Sequence, residues 1–352
     1  MLRVAALTSG RNTPSSRFRV RQHIGALSRS GIDVREFTPA ICKYDGVPFW
    51  PANRSVKYIL PVFALWQGIK LTTRGRGLIG SWTSDITWLE RQLLPGYLTL
   101  EPAIKRPYVF DVDDAIWMSP PFGRSSVART ARRSAAVLAG NSYLADWFAP
   151  FASNIHIVPT AVDSDRFRPR AGDPRPRERF VIGWIGTKGN LPSLEAIEQP
   201  LDQFMKRHAG AELLVVADGV PDFKLLPCDR VRIRSWSDAI EVESLQEMDV
   251  GLMPLTDSEW ARGKCSFKML QYMACGIPVV VSPVGMNAEV LAIDAIGLAA
   301  ETLCDWFDAL ELLYADAGRA GEMGLRGRAV VESRFSGDVI ARQIAAILNQ
   351  LA

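Results

Sequence analysis

Two lysines lie at the start of a predicted helix and could hold an anion. Residues 263–285 read GKCSFKMLQYMACGIPVVVSPVG, a pattern that predicts a short helix capped by Ser266 and then a buried all-valine strand at 279–281. Lys264 stands at the helix entry, and Lys268 follows one turn later on the same face. Because free backbone N–H groups and the helix dipole favour an anion there, the pattern predicts a pyrophosphate site. A surface helix with two solvated lysines is the alternative.

Three aspartates form a second group of residues that could do chemistry. Asp111, Asp113 and Asp114 follow a predicted strand at 108–110, and ligands of open α/β sheets bind beyond the carboxyl ends of the strands. Three carboxylates so close together repel one another, so such an arrangement usually persists because something binds them. The bound group could be a sugar hydroxyl, an acceptor hydroxyl or a metal ion. Capping of the next helix is the structural alternative.

The loop and helix after the first predicted strand carry arginines. Gly10 lies in the loop, and Arg17 and Arg21 lie one turn apart on the helix that follows. Two guanidinium groups at this spacing could grip a phosphate or a carboxylate. Arg19 points elsewhere at helical spacing and is expected to be exposed. Solvent-exposed arginines on an amphipathic helix are the alternative for Arg17 and Arg21.

Two further loops lie at the ends of predicted strands. The run GWIGTKGN at 183–190 allows a tight turn and a close backbone approach, so Gly186, Thr187 and Lys188 are candidates for holding phosphates. The run is neither a dinucleotide fingerprint nor a P-loop. Trp236 follows a predicted strand at 231–233 and is either a ligand contact or a core aromatic residue.

The elements that must position these residues alternate between strands and helices, which predicts doubly wound parallel sheets. A segment rich in proline and arginine at 166–179 is typical of a linker. We therefore predict an α/β fold with Rossmann-like domains at 1–170 and 171–335 and a terminal helix at 336–352. The strand candidates are residues 4–7, 34–37, 78–81, 108–110, 136–138 and 155–158, and then 180–185, 213–217, 231–233, 250–253 and 279–281.

The composition fits a two-domain globular protein, and its charge is unevenly distributed. The 352 residues are 48% hydrophobic and 22% charged, with a net charge of +3. Residues 1–170 hold 23 Lys+Arg and 12 Asp+Glu, a net of +11, and the remaining 18 and 26 give −8. The basic half is expected to meet a phospholipid surface, a lipid-phosphate carrier or an acidic glycan, and no nucleic acid partner is expected. A source organism that simply uses much arginine is the alternative.

The cysteine content and the hydropathy of the sequence indicate the cellular compartment in which the protein is expected. Five cysteines without a CxxC pair indicate a reducing cytoplasm. No leader peptide is predicted before the first strand, and no apolar run reaches the ~20 residues of a membrane helix. Residues 57–70 are apolar with basic flanks, which fits either a core element or a peripheral membrane contact. We expect a cytoplasmic protein and leave open a peripheral position at the inner face of the membrane.

The segment from Met273 to Val280, MACGIPVV, resembles the nucleotide-sugar site of GT-B glycosyltransferases, especially the large retaining family 4. The signature of that family places Glu-x7-Glu before a Met-Ala-x-Gly-x-Pro-Val-Val strand. The two glutamates would fall on Gly263 and Gln271, so both carboxylates are missing. Gln271 could still bond a ribose or sugar hydroxyl as a neutral group. The run DDAIW at 113–117 is similar to a subgroup of GT-B transferases.

The resemblance implies two Rossmann-like domains facing across a cleft, the first on the acceptor side and the second holding a nucleoside diphosphate sugar. It implies sugar transfer to an acceptor hydroxyl with retention, without a metal or another cofactor. Lys264, Lys188 and Arg262 would stabilise the leaving diphosphate. Asp113 and Asp114 would orient the sugar or the acceptor. The other implied donor contacts are Gly186, Thr187, Trp236, Ser266, Lys268 and Gln271, and the acceptor or phosphate side would use Gly10, Arg17, Arg21 and Asp111.

An anionic or lipid-linked acceptor would fit the basic first half, in the biosynthesis of a cell-envelope glycan, a glycolipid or a secondary metabolite. Two other functions fit the same scaffold. One is a sugar-nucleotide epimerase or a phosphorylase. The other is a nucleotide-sugar-binding module without catalysis, which the missing glutamates favour. Donor hydrolysis separates an enzyme from a binding module, and acceptor-dependent transfer separates a transferase from an epimerase.

Overall fold

A computed structural model of the chain describes residues 1–50, 59–171 and 179–352. The start of the predicted apolar segment at 57–70 and half of the predicted linker at 166–179 lie outside the described residues. The described residues form two compact units, one of residues 1–161 with 337–352 and one of residues 162–336. Each contains a six-stranded sheet whose neighbouring strands are parallel, which confirms the predicted α/β class.

The first unit is built on a sheet of strand order β2-β1-β3-β4-β5-β6. The order reverses direction between β1 and β3, so the carboxyl ends of these two strands form the switch point at which open α/β sheets bind ligands. Val4, Trp88 and Val109 lie fully buried in its core. The strands are β1 (Leu2–Leu7), β2 (Ile32–Phe37), β3 (Ile86–Glu90), β4 (Tyr108–Val112), β5 (Ala136–Ala139) and β6 (Ile155–Ile157).

The helices of this unit include the last helix of the chain. Ile340, Ile344 and Leu348 of that helix are buried in the same core as Val4 and Leu27, so its apolar face packs on the first sheet. The helices are α1 (Ile24–Arg29), α2 (Leu60–Thr72), α3 (Gly75–Trp82), α4 (Gly123–Arg133), α5 (Ser142–Phe148) and, at the end of the chain, α14 (Gly337–Leu351). A π-helical turn at Ser16–Val20 and a 3₁₀ turn at Arg21–His23 precede α1.

The second unit has a sheet of strand order β12-β11-β10-β7-β8-β9. Apolar side chains on both faces of its central strands are buried, as parallel sheets require. The strands are β7 (Phe180–Gly186), β8 (Ala211–Ala217), β9 (Val231–Ser235), β10 (Val250–Met253), β11 (Val279–Val281) and β12 (Gly297–Ala299). The helices are α6 (Leu191–Glu195), α7 (Glu198–Arg207), α8 (Glu241–Gln246), α9 (Glu259–Arg262), α10 (Phe267–Ala274), α11 (Met286–Leu291), α12 (Leu303–Ala315) and α13 (Ala317–Val330).

One predicted strand and one predicted boundary differ from the structure. Residues 78–81 lie in the helix α3, not in a strand, because this apolar run packs its glycines against side chains at the ends of β1 and β2. The third strand is β3, at 86–90. The units meet in sequence between residues 161 and 162, nine residues before the predicted boundary. Phe167, in the predicted linker, is buried in the second unit.

A buried ion pair joins the π-helical turn to β4 and corrects two predictions. Arg19 donates through Nε and Nη2 to Asp111 Oδ1 at 2.9 and 2.7 Å, and Trp88 Nε1 donates to Oδ2 at 2.9 Å. Arg19 was expected to be exposed, but it is 2% exposed. The turn follows wider i→i+5 geometry, so the 3.6-residue spacing behind that prediction does not apply. Asp111 is enclosed by this chain's own side chains and does not face a ligand.

Arg19→Met should lower the free energy of unfolding by about 3–5 kcal/mol at pH 7.5, because it leaves a buried carboxylate unpaired. Burial raises the pKa of Asp111 to about 6 even beside the Arg19 guanidinium. Without that guanidinium the pKa rises further, so Asp111 is neutral at pH 5 and the loss should be smaller there. Urea denaturation at both pH values measures the difference.

Arg21→Met is the matched control, since the Arg21 side chain is 33% exposed and pairs with Glu36 near the surface. Its expected loss is at most about 1 kcal/mol at either pH. The buried pair does not anchor the turn if the two variants lose equal unfolding free energy. The same conclusion follows if the loss for Arg19→Met does not change with pH.

Candidate active site

The donor-side candidates of the second unit gather where β7 meets the start of α10. Lys268 Nζ lies 4.5 Å from the ring centroid of Trp184. A Cβ at residue 186 would lie 2.6 Å from that Nζ and 2.5 Å from the Trp184 ring, so a side chain there would displace one of the two groups. Lys264 Nζ donates to Asn190 Oδ1 at 2.9 Å, and Asn190 Nδ2 donates to Thr187 Oγ1 at 2.8 Å. The structure therefore brings Gly186, Thr187, Lys264 and Lys268 together.

The electrostatics of this group favour an incoming anion. Burial, and after it the neighbouring positive charge of Lys264, lower the pKa of Lys268 to about 7. Within the described residues Lys268 forms no ion pair with a carboxylate. A negatively charged ligand would restore the protonated state of this lysine, because an opposite charge favours the charged form.

Ser266 does not cap α10 as the sequence predicts. It lies in the left-handed region at φ 49°, makes no side-chain cap, and donates instead from Oγ to Asn287 Oδ1 at 2.7 Å. Asn287 is held in turn by the carbonyl of Ser282, to which its Nδ2 donates at 2.9 Å. Ser266 therefore supplies no side-chain cap to the first turn of α10.

Two predicted phosphate contacts, Lys188 and Arg262, are placed differently. The Lys188 side chain is exposed and lies against Gly219, while its backbone N–H donates to Asp218 Oδ1. Arg262 donates through Nε and Nη2 to the two oxygens of Asp257, both at 2.7 Å. Arg262 is thus paired with a carboxylate of its own unit, and the Lys188 side chain is exposed to solvent.

Gln271 lies one turn beyond Lys268 and is bonded to a carboxylate that sequence reasoning missed. Gln271 Nε2 donates to Glu241 Oε1 at 3.0 Å, and Trp236 Nε1 donates to the same oxygen at 3.2 Å. Arg166 Nη2 donates to Glu241 Oε2 at 3.0 Å. A carboxylate thus lies beside Gln271 although the family glutamate is absent from that position. The sequence signal was Glu241 in the first turn of α8, five residues after Trp236.

In the first unit Asp113 and Asp114 are held by Arg91, which the sequence analysis did not single out. Arg91 donates from Nε to Asp113 Oδ1 at 2.6 Å, from Nη2 to Asp114 Oδ2 at 2.5 Å and from Nη1 to Tyr44 Oη at 3.0 Å. Burial acts to raise the pKa of Asp113, but the charge and hydrogen bond of Arg91 hold it below the ordinary value. Asp113 is therefore ionised near neutral pH.

Arg91 itself has unusual backbone geometry. It lies at φ 56°, where non-glycine residues are strained, directly after β3. Such strain persists only where the surroundings impose it. Here the left-handed turn places the guanidinium opposite the end of β4, from which both aspartates project.

The other acceptor-side candidates do not form the predicted grip. Arg21 donates through Nε and Nη2 to the two oxygens of Glu36 at 2.8 and 2.7 Å, so it is committed within the unit. The Arg17 guanidinium lies 4.9 Å from the ring centroid of Phe18. Gly10 lies against Thr13 and Cys42, where a Cβ would stand 2.9 Å from Thr13 Oγ1. Arg17 and Arg21 are therefore not brought to one ligand.

A third buried carboxylate, Glu90, organises the loop after β1. Its Oε2 accepts from the N–H of Ser9 at 2.8 Å, from Ser9 Oγ at 2.5 Å and from Ser16 Oγ at 3.0 Å.

The described residues contain no group of three or more His, Cys, Asp or Glu side chains placed to hold a metal ion.

Comparison with known proteins identifies the scaffold. Residues 179–316 match the family described as Glycosyl transferases group 1. The GDP-mannose-dependent alpha-(1-6)-phosphatidylinositol monomannoside mannosyltransferase of Mycobacterium tuberculosis is 26% identical over 260 residues, which cover 66% of this chain and 66% of the relative. The chain thus spans just under two thirds of the length of the curated relatives that it matches.

Solved structures match over the whole chain. Sucrose-phosphate synthase from Thermosynechococcus elongatus has a TM-score of 0.70 at 15% identity, covering 100% of this chain and 99% of that one. HepE from Anabaena in complex with UDP-glucose has a TM-score of 0.71 at 15% identity, covering 100% of each. Together with the two parallel sheets, these similarities show that the chain has the GT-B fold, and its residues 179–316 carry the match to the glycosyl transferases group 1.

Proposed function

We propose that this protein transfers a sugar from a nucleoside diphosphate sugar to an acceptor hydroxyl, with retention of configuration. The observation that carries the proposal is the convergence of Lys264, Lys268, Asn190 and Thr187 at the start of α10. The retention of configuration rests on the resemblance to family 4. The structure of HepE was solved in complex with UDP-glucose, which supports a nucleotide-sugar donor for this protein.

The donor diphosphate would lie on the two lysines. Charge develops on the leaving diphosphate as the glycosidic bond breaks, and preorganised cations with helix N–H groups stabilise such charge strongly where water is excluded. Lys268 suits this role because it is largely desolvated against Trp184. No metal ion or other cofactor is needed for this step, since the lysines supply the positive charge.

The nucleoside would lie one turn further along α10. Carboxylate oxygens only accept hydrogen bonds, so the bond to Glu241 fixes Gln271 with Nε2 toward Glu241 and leaves Oε1 as an acceptor for a ribose hydroxyl. Trp236 is 42% exposed while its indole N–H is held by Glu241. An aromatic face fixed in this way suits stacking by a base.

Asp113 and Asp114 would orient the sugar or the acceptor. Their ion pairs with Arg91 fix both carboxylates, and the Asp114 side chain is 22% exposed, so a hydroxyl can approach this carboxylate. Neither is proposed as a nucleophile. Their role is to hold the reacting hydroxyl in position.

The acceptor side would include a contact with an anionic membrane surface. The outer face of α2 carries the exposed side chains of Leu60, Val62, Leu65 and Ile69, and α3 exposes Ile79 and Trp82. No described helix is long and apolar enough to cross a membrane. An exposed apolar face on a half-chain of net charge +11 fits reversible binding at a lipid surface. A lipid-linked acceptor, met at the inner face of the membrane in envelope or glycolipid biosynthesis, would suit this position.

Lys264→Ala should weaken the affinity for the nucleoside diphosphate by about tenfold or more, the usual effect of losing a charge-assisted hydrogen bond. Calorimetric titration with UDP, GDP, TDP and ADP, first with EDTA and then with magnesium, measures the affinity and identifies the base. Lys206→Ala, an exposed lysine of α7 paired with Asp202, is the control and should bind like the parent. Failure of all four nucleotides to bind the parent would refute the proposal.

Asp114→Asn should reduce the turnover of donor hydrolysis by roughly tenfold or more, with little change in nucleotide affinity, because it disturbs orientation and not diphosphate binding. Initial rates with UDP-glucose and GDP-mannose, beside calorimetry, separate the two effects. Asp33→Asn, on the exposed side of β2, is the control. If Asp114→Asn keeps full activity, Asp114 does not belong to the site. If the parent binds the donor but neither hydrolyses nor transfers the sugar, the protein is a binding module.

Leu65→Glu should lower partitioning to vesicles of phosphatidylcholine and phosphatidylglycerol by about tenfold or more, since it removes an apolar side chain that the lipid would bury and adds a charge that the anionic lipid repels. Cosedimentation at several lipid concentrations measures the partition coefficient. Leu325→Glu, at an equally exposed leucine of α13, is the control. If the parent does not bind these vesicles, or if both variants lose binding equally, α2 is not the membrane contact.

A further inference from the structure

Three arginines line a groove at the amino edge of the first sheet. Arg106 lies two residues before β4, and Arg132 and Arg133 end α4 just before β5. This arginine groove has a volume of about 440 Å³, which is in the range of small-molecule sites. The other described residues that line it are Pro107, Ser134 and Ala135. Its described lining therefore carries three positive charges and no acid.

The end of α4 does not explain the two arginines of its last turn. Basic side chains there often stabilise the free carbonyls of a helix. In α4, however, the carbonyl of Thr130 accepts from Tyr108 Oη at 2.6 Å, and the carbonyl of Ala131 accepts from Ser134 Oγ at 2.8 Å. Since these carbonyls are satisfied by other groups, the arginines are left for other contacts.

The guanidinium groups of the groove keep donors available for a ligand. In the part of the chain that the structure describes, Arg106 forms no hydrogen bond or ion pair, and Arg132 lies with Cζ 5.0 Å from the ring centroid of Phe151. A guanidinium stacked on a ring keeps its N–H groups in its own plane, where they can still donate. Arg133 donates from Nη2 to the carbonyl of Pro102 at 3.0 Å. All three arginines are exposed, so a ligand can reach them.

One buried acid acts on the same neighbourhood. Burial raises the pKa of Tyr108, Arg133 and Arg106 act against that rise, and Glu101 supports it. Glu101 is 1% exposed, and its carboxylate accepts from two main-chain N–H groups at 2.9 and 2.6 Å. When its charge is counted against the three arginines, a net charge of +2 remains at the groove.

Exposed apolar side chains of α3 lie beside the groove. Trp82 Nε1 donates to the carbonyl of Ala103 at 3.0 Å, next to the carbonyl of Pro102 that Arg133 binds. Trp82 is 63% exposed, and Ile79, one turn earlier, is 68% exposed. Tryptophan is enriched at the level of lipid headgroups, and basic residues are attracted to anionic lipid there. The groove and these side chains together fit a lipid surface.

We propose that the arginine groove binds the phosphate of an anionic phospholipid headgroup, with Trp82 in the headgroup layer beside it. Guanidinium groups bind phosphate oxygens in pairs, so several of them around one groove suit this group. The proposal rests on the membrane contact of the proposed function and names the lipid group that this contact meets. The groove lies at the opposite edge of the sheet from Asp113 and Asp114, so its role is to anchor the protein.

Cosedimentation of the full chain with vesicles of phosphatidylcholine and phosphatidylglycerol tests the groove. Arg106→Gln together with Arg132→Gln should lower the partition coefficient by roughly thirtyfold, about fivefold for each arginine lost near an anionic surface. The matched control is Arg35→Gln together with Arg342→Gln, which removes the same charge from exposed arginines of β2 and α14. It should bind within about threefold of the wild-type chain, since charges far from the surface are screened.

Calorimetry with a short-chain phosphatidylglycerol below its micelle concentration, and with inorganic phosphate, separates the two sources of the phosphate group. Both titrations use the chain carrying Lys264→Ala, which removes a phosphate contact proposed for the donor side. The lipid should bind, and the two glutamine substitutions in the groove should weaken it roughly tenfold or more. The lipid assignment is wrong if inorganic phosphate binds as tightly and is lost with the same substitutions.

The glutamine variant should keep the thermal midpoint of the wild-type chain, because both substituted arginines are exposed. Arg106→Lys together with Arg132→Lys keeps the charge but loses the two-donor geometry, so its partition coefficient should lie between those of the wild-type chain and the glutamine variant.

The groove is not the lipid site if the groove and control variants lose vesicle binding equally, or if the wild-type chain does not bind the vesicles. If Leu65→Glu loses vesicle binding while the groove variant keeps it, the membrane contact stands and the groove proposal fails. Nucleotide affinity of the wild-type chain tests the transferase proposal separately.

Discussion

Buried charge must be neutralised, and the first unit depends on this constraint at the carboxyl edge of its sheet. Arg19 neutralises Asp111, and Arg91 holds Asp113 and Asp114. These pairs join the π-helical turn to β4 and the end of β3 to the end of β4. Because an unpaired buried carboxylate costs several kcal/mol, the acidic run after β4 can exist only with these arginines. The groups that bind the three aspartates are thus partly arginines of the same chain.

The same constraint distinguishes the places where a ligand is needed. Lys268 in the second unit is a cation for which no carboxylate partner is found among the described residues, and burial lowers its pKa. Gly186 leaves room beside its ammonium group. The proposed donor diphosphate would supply the missing negative charge.

The absence of the family glutamates at 263 and 271 does not leave the second unit without a carboxylate near Gln271. Glu241 enters from α8 and fixes both the amide of Gln271 and the indole of Trp236. Arg166 neutralises it from the chain segment before β7. A hydrogen-bonded amide can present an acceptor oxygen where a carboxylate would otherwise stand. This arrangement weakens the argument from the missing glutamates for a binding module.

The sequence by itself determined the α/β class and most strand positions, because these follow from local periodicity, and it predicted an anion site at Lys264 and Lys268 from helix-end chemistry. It could not find Arg91 or Glu241, and it misjudged Arg19. Each of these depends on which side chain lies opposite across 22 to 92 residues of sequence. Pairing over such separations is decided only when the sheets form, since burial then determines which charges must find a partner and which remain for a ligand.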